Sequence, residues 1–184
     1  YANSIVLLIL RKNLCNLVFF SHSVGGIIPI LIAKKIKQKK KIKKFFNYEG
    51  NLTEYDTGTI TKKTTSYNMN EFDNKFNKLV GICEQSSQST IRLWSNSLKK
   101  TSSKAFYDLS KDTVMLSKKS ILLQFFRTFF RRKLYMFGSN SLLNFSEFSF
   151  GPERLILNNT GHFAFYDDNT KFLSIFLKLI YNCK

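Results

Sequence analysis

The chain has 184 residues, of which 43% are hydrophobic and 15% aromatic. This composition excludes an intrinsically disordered chain and predicts one globular domain with enough apolar residues for a core. The formal net charge of +17 favours anionic partners, so nucleic acid and acidic membrane surfaces are the classes to weigh.

The cysteines and the amino end indicate where the protein works. Cys15, Cys83 and Cys183 are too few and too scattered for a disulfide framework or a metal site, so we expect a reducing, cytoplasmic compartment. No apolar run approaches the roughly 20 residues that span a bilayer, and no secretory signal pattern is present. Because the chain begins at Tyr1, already in a helical pattern, we expect it to be a fragment of something longer.

The first predicted elements are a helix over residues 3–12, a buried strand over 16–21 and a helix over roughly 24–38. Strand and second helix meet in the small-residue cluster Ser21-His22-Ser23-Val24-Gly25-Gly26. This spacing is typical of a nucleophile elbow, G-x-S-x-G, with Ser21 in place of the first glycine. The elbow predicts Ser23 as a nucleophile and the Val24 N–H as an oxyanion donor, and the alternative is that Ser23 is only a small turn residue.

A run of lysines without a carboxylate follows the elbow. We interpret it as the solvated end of the second helix and the loop after it, where cations suit the helix dipole. The alternative is an anion-binding surface, but the run lacks the interleaved aromatic residues of a nucleic-acid binder, so we expect no nucleic-acid partner. The run consists of Lys34, Lys35, Lys37, Lys39, Lys40, Lys41, Lys43 and Lys44.

Residues 42–48 predict a second strand, which ends at Glu49-Gly50-Asn51. A strand–helix–strand unit is a right-handed crossover and requires the two strands to pair in parallel. The predicted fold class is therefore α/β.

Residues 53–126 are polar, with apolar residues at helical intervals, and predict an inserted helical lid. We expect polar links at 57–68, 85–90 and 95–104. Two interpretations are open for the larger apolar residues of this segment: they line a substrate pocket or, as we favour, form the core of the lid. They are Trp94, Phe106, Tyr107, Leu116 and the run 122–126.

The remaining segment, 127–184, completes the division of the chain into parts 1–52, 53–126 and 127–184. It predicts strands over 133–137 and 154–157, and a final helix over 171–181. His162 lies in a Gly-His-Phe loop after the last strand. The chain has two histidines, and we expect the other, His22, to be a packing or loop residue.

With these motifs in place, the chain resembles the carboxy-terminal part of an α/β-hydrolase-fold serine hydrolase. The elbow is similar to the family's Gly-His-Ser-Met-Gly-Gly form, residues 47–53 resemble the end of its sixth strand, and Thr160-Gly161-His162-Phe163 resembles its histidine loop. The order of Ser23, acid and His162 also fits the family. The resemblance covers nearly the whole chain, from the helix before strand five onward.

The resemblance also implies what precedes the chain. The family's second oxyanion N–H comes from the loop after strand three, which would lie before Tyr1. Without strand three, residues 17–20 become an exposed apolar edge.

The acid of the proposed set is the residue on which the sequence departs most from the family. Strand seven is usually followed by an aspartate, but here it is followed by Gly138-Ser139-Asn140-Ser141. Some relatives place the acid after strand six, where this chain has Glu49; the alternative for Glu49 is a strand-end group that caps backbone N–H donors. Asp167 and Asp168 are expected to cap the final helix.

The function that follows is acyl transfer. His162 would activate Ser23 to attack a small or medium ester, thioester or amide, with no metal or organic cofactor. The alternative is a noncatalytic relative of the same fold that binds a partner. The sequence leaves the oligomeric state open.

Overall fold

The computed structural model describes residues 1–36, 41–118, 121–141 and 153–181. Its strands are β1 (Leu17–His22), β2 (Ile42–Tyr48), β3 (Lys133–Gly138) and β4 (Arg154–Leu157). Its helices are α1 (Ala2–Arg11), α2 (Ile27–Ile36), α3 (Thr59–Thr65), α4 (Met69–Glu84), α5 (Ser89–Leu98), α6 (Ser103–Ser117), α7 (Ile121–Phe129), α8 (Ala164–Asp167) and α9 (Asn169–Tyr181). Short 3₁₀ helices cover Ser23–Gly26 and Ser139–Ser141.

The strands form one parallel sheet in the order β1-β2-β3-β4. The predicted α/β class is confirmed, and β2 has the predicted bounds. Parallel strands bring their carboxyl ends to the same edge of a sheet, which is where ligands bind in open α/β folds. The residues that follow the strands therefore converge on one edge.

Helices cover both faces of β2, although its sequence, Ile42–Tyr48, is not continuously apolar. Phe45 packs on one face with Ile30 of α2 and Phe126 of α7. Phe46 packs on the other face with Met136 of β3 and Phe172 of α9. Alternate side chains of one strand thus join two separate apolar clusters.

The strand β1 lies at the edge of the sheet and is only partly buried. Val18 is 36% exposed, and Leu17, Phe19 and Phe20 are half-buried. The prediction of a buried strand is therefore wrong for β1, whereas the expected apolar edge agrees with the structure. The neighbouring helix α1 packs Ile9 on α2, while its outer face keeps large apolar side chains about half exposed. These are Leu7, Leu8 and Leu10.

The lysine run is not solvated throughout. Lys44 is only 2% exposed, and its Nζ donates hydrogen bonds to the carbonyls of Leu179 at 2.9 Å and Ile180 at 2.8 Å, at the end of α9. A cation at this position donates to carbonyls at the carboxyl end of a helix, where positive charge also suits the helix dipole. The prediction of a solvated loop is therefore wrong for Lys44. Lys34, Lys35 and Lys43 are exposed, Lys41 is half-buried, and Lys37, Lys39 and Lys40 lie outside the described residues.

The segment between β2 and β3 is more helical than predicted. The expected link at 57–68 contains α3, α5 begins inside the expected link at 85–90, and α5 ends inside the one at 95–104. Helices α4, α5 and α6 pack around their own apolar cluster, which includes Phe72, Phe76 and Tyr107.

The run 122–126 lies outside this cluster and does not line the cavity beside Ser23. Leu122 and Phe126 of α7 pack against the sheet with Ile30 and Phe45, so both interpretations of that run were wrong. The predicted boundary at residue 126 falls inside α7. The division of the chain into three parts stays a prediction.

Among the described residues, no helix has the length and apolar character needed to cross a membrane. Cys15 is exposed and Cys83 buried, and both are free thiols. Cys183 lies outside the described residues.

Candidate active site

Ser23 lies on a sharp turn between β1 and the helical segment that follows. Its φ of 53° is in the left-handed region, where a residue with a side chain is strained. The turn is held from the neighbouring strand, because the N–H of Asn51 donates to the Ser23 carbonyl at 3.1 Å. Ser23 therefore has the backbone conformation that the elbow motif predicts.

The small residues around Ser23 differ in what they do. A Cβ on Gly26 would lie 2.7 Å from the Cα of Gly50, so only glycine fits there without displacing backbone. A Cβ on Gly25 would meet nothing within 4 Å, so the close approach of the backbone at this turn requires Gly26 and not Gly25. Ser21 fits in place of the motif's first glycine because its hydroxyl donates to Asn47 Oδ1 at 2.9 Å.

Glu49 is a buried carboxylate at the end of β2. Its side chain is 1% exposed, and its own N–H donates to the carbonyl of Met136 at 2.8 Å. Its Oε1 accepts the N–H of Gly138 at 3.0 Å, which is the strand-end contact that the simpler interpretation predicted. This contact uses only one of the two carboxylate oxygens.

The second oxygen of Glu49 faces the histidine loop. Its Oε2 lies 2.6 Å from His162 Nδ1, although the two residues are 113 positions apart in the chain. Because a carboxylate only accepts, Nδ1 carries the proton in this pair and the neutral ring keeps Nε2 free to accept another. The structure thus joins two of the predicted site residues in the arrangement that a general base requires.

The loop that carries His162 is held through Gly161. Tyr48 donates its hydroxyl to the Gly161 carbonyl at 2.5 Å, and the Gly161 N–H donates to Asp167 Oδ2 at 2.7 Å. Burial and then the charge of Glu49 raise the pKa of Tyr48 well above its ordinary value, which keeps this donor protonated. Asp167 therefore braces the histidine loop, and the prediction that it caps the final helix is wrong.

Asp168 does have the predicted capping role. Its Oδ1 accepts the N–H of Lys171 at 2.9 Å, in the first turn of α9.

His22 lies next to His162. The two ring centroids are 4.5 Å apart, and His22 Nε2 lies 2.7 Å from the His162 carbonyl oxygen. Burial lowers the pKa of His22 to about 4, with a further lowering contribution from His162. His22 is thus a neutral packing residue, as predicted, with one specific hydrogen bond.

A cavity of about 890 Å³ opens beside these groups. Ser23, Val24, Glu49 and His162 all line it. The predicted nucleophile, oxyanion donor, acid and base therefore border one space.

Aromatic side chains form much of the remaining cavity wall. Trp94 of α5 and Phe106 of α6 both line it and also pack against the α4–α6 cluster, so both predicted roles hold for these two residues. The ring centroid of Trp94 is 5.7 Å from that of Phe163. Tyr107 instead lies in the α4–α6 cluster, and Leu116 packs against the sheet core.

The sequence analysis missed several residues of the cavity. Phe163, Phe165 and Tyr166 line it directly after His162, and this aromatic run beside a candidate base was a usable signal. Asp56 also lines it, and its Oδ2 accepts the N–H groups of Leu52 and Thr53, each at 2.8 Å. Burial raises the pKa of Asp56 to about 6, against the lowering effect of these two hydrogen bonds. No local motif marked Asp56.

No group of three or more His, Cys, Asp or Glu side chains that would hold a metal ion occurs in the part of the chain that the structure describes.

Comparison with known proteins identifies the fold. No protein-family model and no curated protein sequence matches the chain. Solved structures do match. A bromoperoxidase from Bacillus anthracis has a TM-score of 0.68 at 13% identity, over 97% of this chain and 72% of that one. An N-acyl homoserine lactonase complexed with N-hexanoyl homoserine has a TM-score of 0.66 at 12% identity, over 100% of this chain and 70% of that one.

An esterase from Exiguobacterium antarcticum is similar in the same way, with a TM-score of 0.65 at 14% identity over 97% of this chain and 72% of that one. These structures are α/β-hydrolase-fold esterases, lactonases and bromoperoxidases. The chain has an α/β-hydrolase fold and spans about 70% of the length of the lactonase. The predicted fold is confirmed.

Proposed function

We propose that this α/β-hydrolase chain is a serine hydrolase that cleaves an ester, thioester or amide by acyl transfer. Ser23 is the nucleophile, His162 the general base and Glu49 the residue that orients it. The observation that carries the proposal is the 2.6 Å contact between His162 Nδ1 and a carboxylate oxygen of the buried Glu49, beside a cavity that Ser23 also lines. The hydrolase fold of the solved neighbours supports the same chemistry.

The proposed reaction begins with proton transfer from Ser23 Oγ to His162 Nε2 as Oγ attacks the carbonyl carbon. The negative charge that develops on the carbonyl oxygen is stabilised by the Val24 N–H. When the tetrahedral intermediate collapses, the protonated His162 gives its proton to the leaving alcohol, thiol or amine.

The acyl group then remains on Ser23 as an ester. His162 takes a proton from water, the resulting hydroxide attacks the acyl carbon, and Ser23 leaves with the proton that His162 returns. Glu49 stabilises the His162 imidazolium in both halves of the reaction. This sequence of steps uses no metal or organic cofactor.

The substrate we propose is an uncharged small molecule with an apolar group. Trp94, Phe106, Phe163 and Phe165 line the cavity and offer apolar area to one side of the scissile bond. Burial of such a group against aromatic rings provides binding free energy away from the reacting atoms. The cavity wall therefore favours esters with a ring or a branched chain over acetate esters of small alcohols.

A noncatalytic binding role is the second candidate. The observation that favours it is the outer face of α1, where Leu7, Leu8 and Leu10 are each about half exposed. Contiguous exposed apolar side chains are typical of surfaces that contact another chain.

Hydrolysis of a p-nitrophenyl ester series distinguishes the two candidates. We expect the wild-type protein to turn over these esters, and Ser23→Ala to lose turnover by several orders of magnitude. Ser87→Ala is the matched control, because Ser87 is an exposed serine in the α4–α5 turn and its loss leaves the rate unchanged. Equal turnover by wild type and Ser23→Ala would contradict the assignment.

A further inference from the structure

His22 contacts His162 but takes no part in the proposed reaction. His22 is the last residue of β1, and its Nε2 lies 2.7 Å from the carbonyl oxygen of His162, 140 positions later in the chain. The contacts that Tyr48 and Asp167 make with the histidine loop act on Gly161. His22 acts on the main chain of His162 itself.

The direction of this hydrogen bond determines the tautomer of His22. A carbonyl oxygen only accepts, so Nε2 of His22 carries the proton and, in the neutral ring, Nδ1 does not. His162 has the opposite tautomer, because its Nδ1 donates to the Glu49 carboxylate. The two histidines therefore differ in which ring nitrogen is protonated.

Aromatic packing holds the His22 ring in place for this bond. Besides His162 at 4.5 Å, its ring centroid lies 5.1 Å from Phe165, 5.6 Å from Phe163 and 5.8 Å from Tyr48. A side chain with few free rotamers loses little entropy when it forms a hydrogen bond. His22 is thus suited to hold the His162 main chain at a fixed distance from β1.

We propose that His22 is a positioning residue: the hydrogen bond from its Nε2–H to the His162 carbonyl fixes the main chain from which the His162 ring reaches Glu49. The link ties the strand that ends at Ser23 directly to the residue that receives the Ser23 proton. Its effect on turnover rests on the proposed function. Its effect on the His162–Glu49 contact does not.

The role requires His22 to stay neutral while His162 becomes charged. The titratable groups that face the His22 ring are His162, Glu49 and Tyr48. Burial lowers the pKa of His22 to about 4, so near neutral pH it adds no cation beside the His162 imidazolium. A permanent cation at this position would oppose that charge.

Two substitutions distinguish the effect of the His22 hydrogen-bond donor from the effect of its aromatic ring. His22→Gln keeps an N–H donor at about the distance of Nε2, whereas His22→Phe keeps an aromatic ring and has no donor. We expect His22→Phe to lower kcat about 10- to 100-fold with little change in KM, since small misplacements of a catalytic group cost rates of this order. We expect His22→Gln to restore most of the loss.

Nuclear magnetic resonance of protein labelled with ¹⁵N-histidine provides a readout independent of turnover. The chain has two histidines, so each variant at position 22 leaves His162 as the single labelled ring. We expect a downfield His162 Nδ1–H resonance in wild type and His22→Gln, and its loss by exchange with solvent in His22→Phe. The positioning role is overturned if His22→Phe keeps both this resonance and the wild-type kcat. It is also overturned if His22→Gln loses the resonance and the turnover to the same extent as His22→Phe.

Wild-type protein alone provides a second test if His22→Phe does not fold. The ¹⁵N shifts of the His22 ring must show a protonated Nε2 and an unprotonated Nδ1. The opposite tautomer would overturn the proposal. If the wild type hydrolyses no ester, the proposed function fails, yet the resonance measurements still decide the role of His22.

Discussion

The strands β1 and β2 lie side by side, and each is followed by a residue of the proposed catalytic set, but the protein holds them differently. β2 is buried almost throughout, and its Glu49 is fixed between β3 and the histidine loop. β1 is an edge strand with half-buried side chains, and the turn at Ser23 is held by an N–H from Asn51, just after β2. The geometry of the site therefore depends on the interior strand, even at Ser23.

The largest effect that this comparison predicts is at Glu49. In Glu49→Gln the amide oxygen can still accept the Gly138 N–H, but the amide nitrogen faces His162 Nδ1 and forces the ring into the wrong tautomer. We expect kcat to fall about 10⁴-fold, as it does when the acid of a serine protease is neutralised. The melting temperature should change little, and both quantities are measured on the same preparation.

Glu54→Gln is the control for this substitution, because Glu54 is exposed and lies just beyond the same strand. Its turnover should match that of wild type. Near-normal turnover by Glu49→Gln would mean that another group orients His162.

The difference in burial is tested by a pair of phenylalanines that are neighbours across the two strands. Phe19 of β1 pairs with Phe45 of β2, but Phe45 is fully buried and Phe19 only partly. We expect Phe45→Ala to lower the free energy of unfolding by about 3–5 kcal/mol. For Phe19→Ala we expect a loss of about 1–2 kcal/mol, since the partly exposed Phe19 side chain buries less apolar area when the protein folds than Phe45 does. Urea denaturation measures both, and equal losses would contradict the view of β1 as the weakly held strand.

The smallest effect that we expect is on how stability depends on pH. His22 ends β1 and Asp56 follows β2, and burial lowers the pKa of His22 but raises the pKa of Asp56. The pKa of His22 is lowered to about 4, so its contribution to stability is present above pH 6.5 and is lost as the pH falls towards 4. The pKa of Asp56 is raised to about 6, so its contribution is present below its ordinary pKa of 3.8 and is lost as the pH rises through 6. Between pH 6 and 4 the two contributions oppose each other.

Asp56→Asn removes the contribution of Asp56 to the pH dependence of stability and leaves that of His22. We expect the stability of the variant to fall more steeply than that of wild type on acidification from pH 6 to 4, by up to about 1.4 kcal/mol per pH unit. Thermal melts at half-unit intervals measure the slope. An unchanged slope would show that Asp56 does not titrate in this range.

Local patterns were enough to predict several of the elements that border the cavity. The bounds of β2 and the turn at Ser23 follow from residues within a few positions of each other, whereas the choice of Glu49 over the end of β3 follows from the resemblance to the α/β-hydrolase family. The proposed role of His162 as the proton acceptor follows from a short loop motif and from the same resemblance.

Features that depend on distant contacts could not be predicted in this way. Lys44 appeared to belong to a solvated run because its partners, the carbonyls of Leu179 and Ile180, lie 135 and 136 positions away. Asp167 was predicted to cap the final helix for a different reason: its partner, the Gly161 N–H, is only six positions away, but no local motif indicates how the loop between them folds. Trp94 could be assigned to the cavity only when the position of α5 over that loop was known.

The most direct test of the central claim is to map where a fluorophosphonate probe reacts. An activated serine forms a stable covalent adduct with such a probe, and digestion followed by mass spectrometry identifies the modified residue. We predict one adduct, on Ser23, absent from Ser23→Ala and formed more slowly in Glu49→Gln. An adduct on a different serine, or labelling that persists in Ser23→Ala, would contradict the claim that Ser23 is the nucleophile.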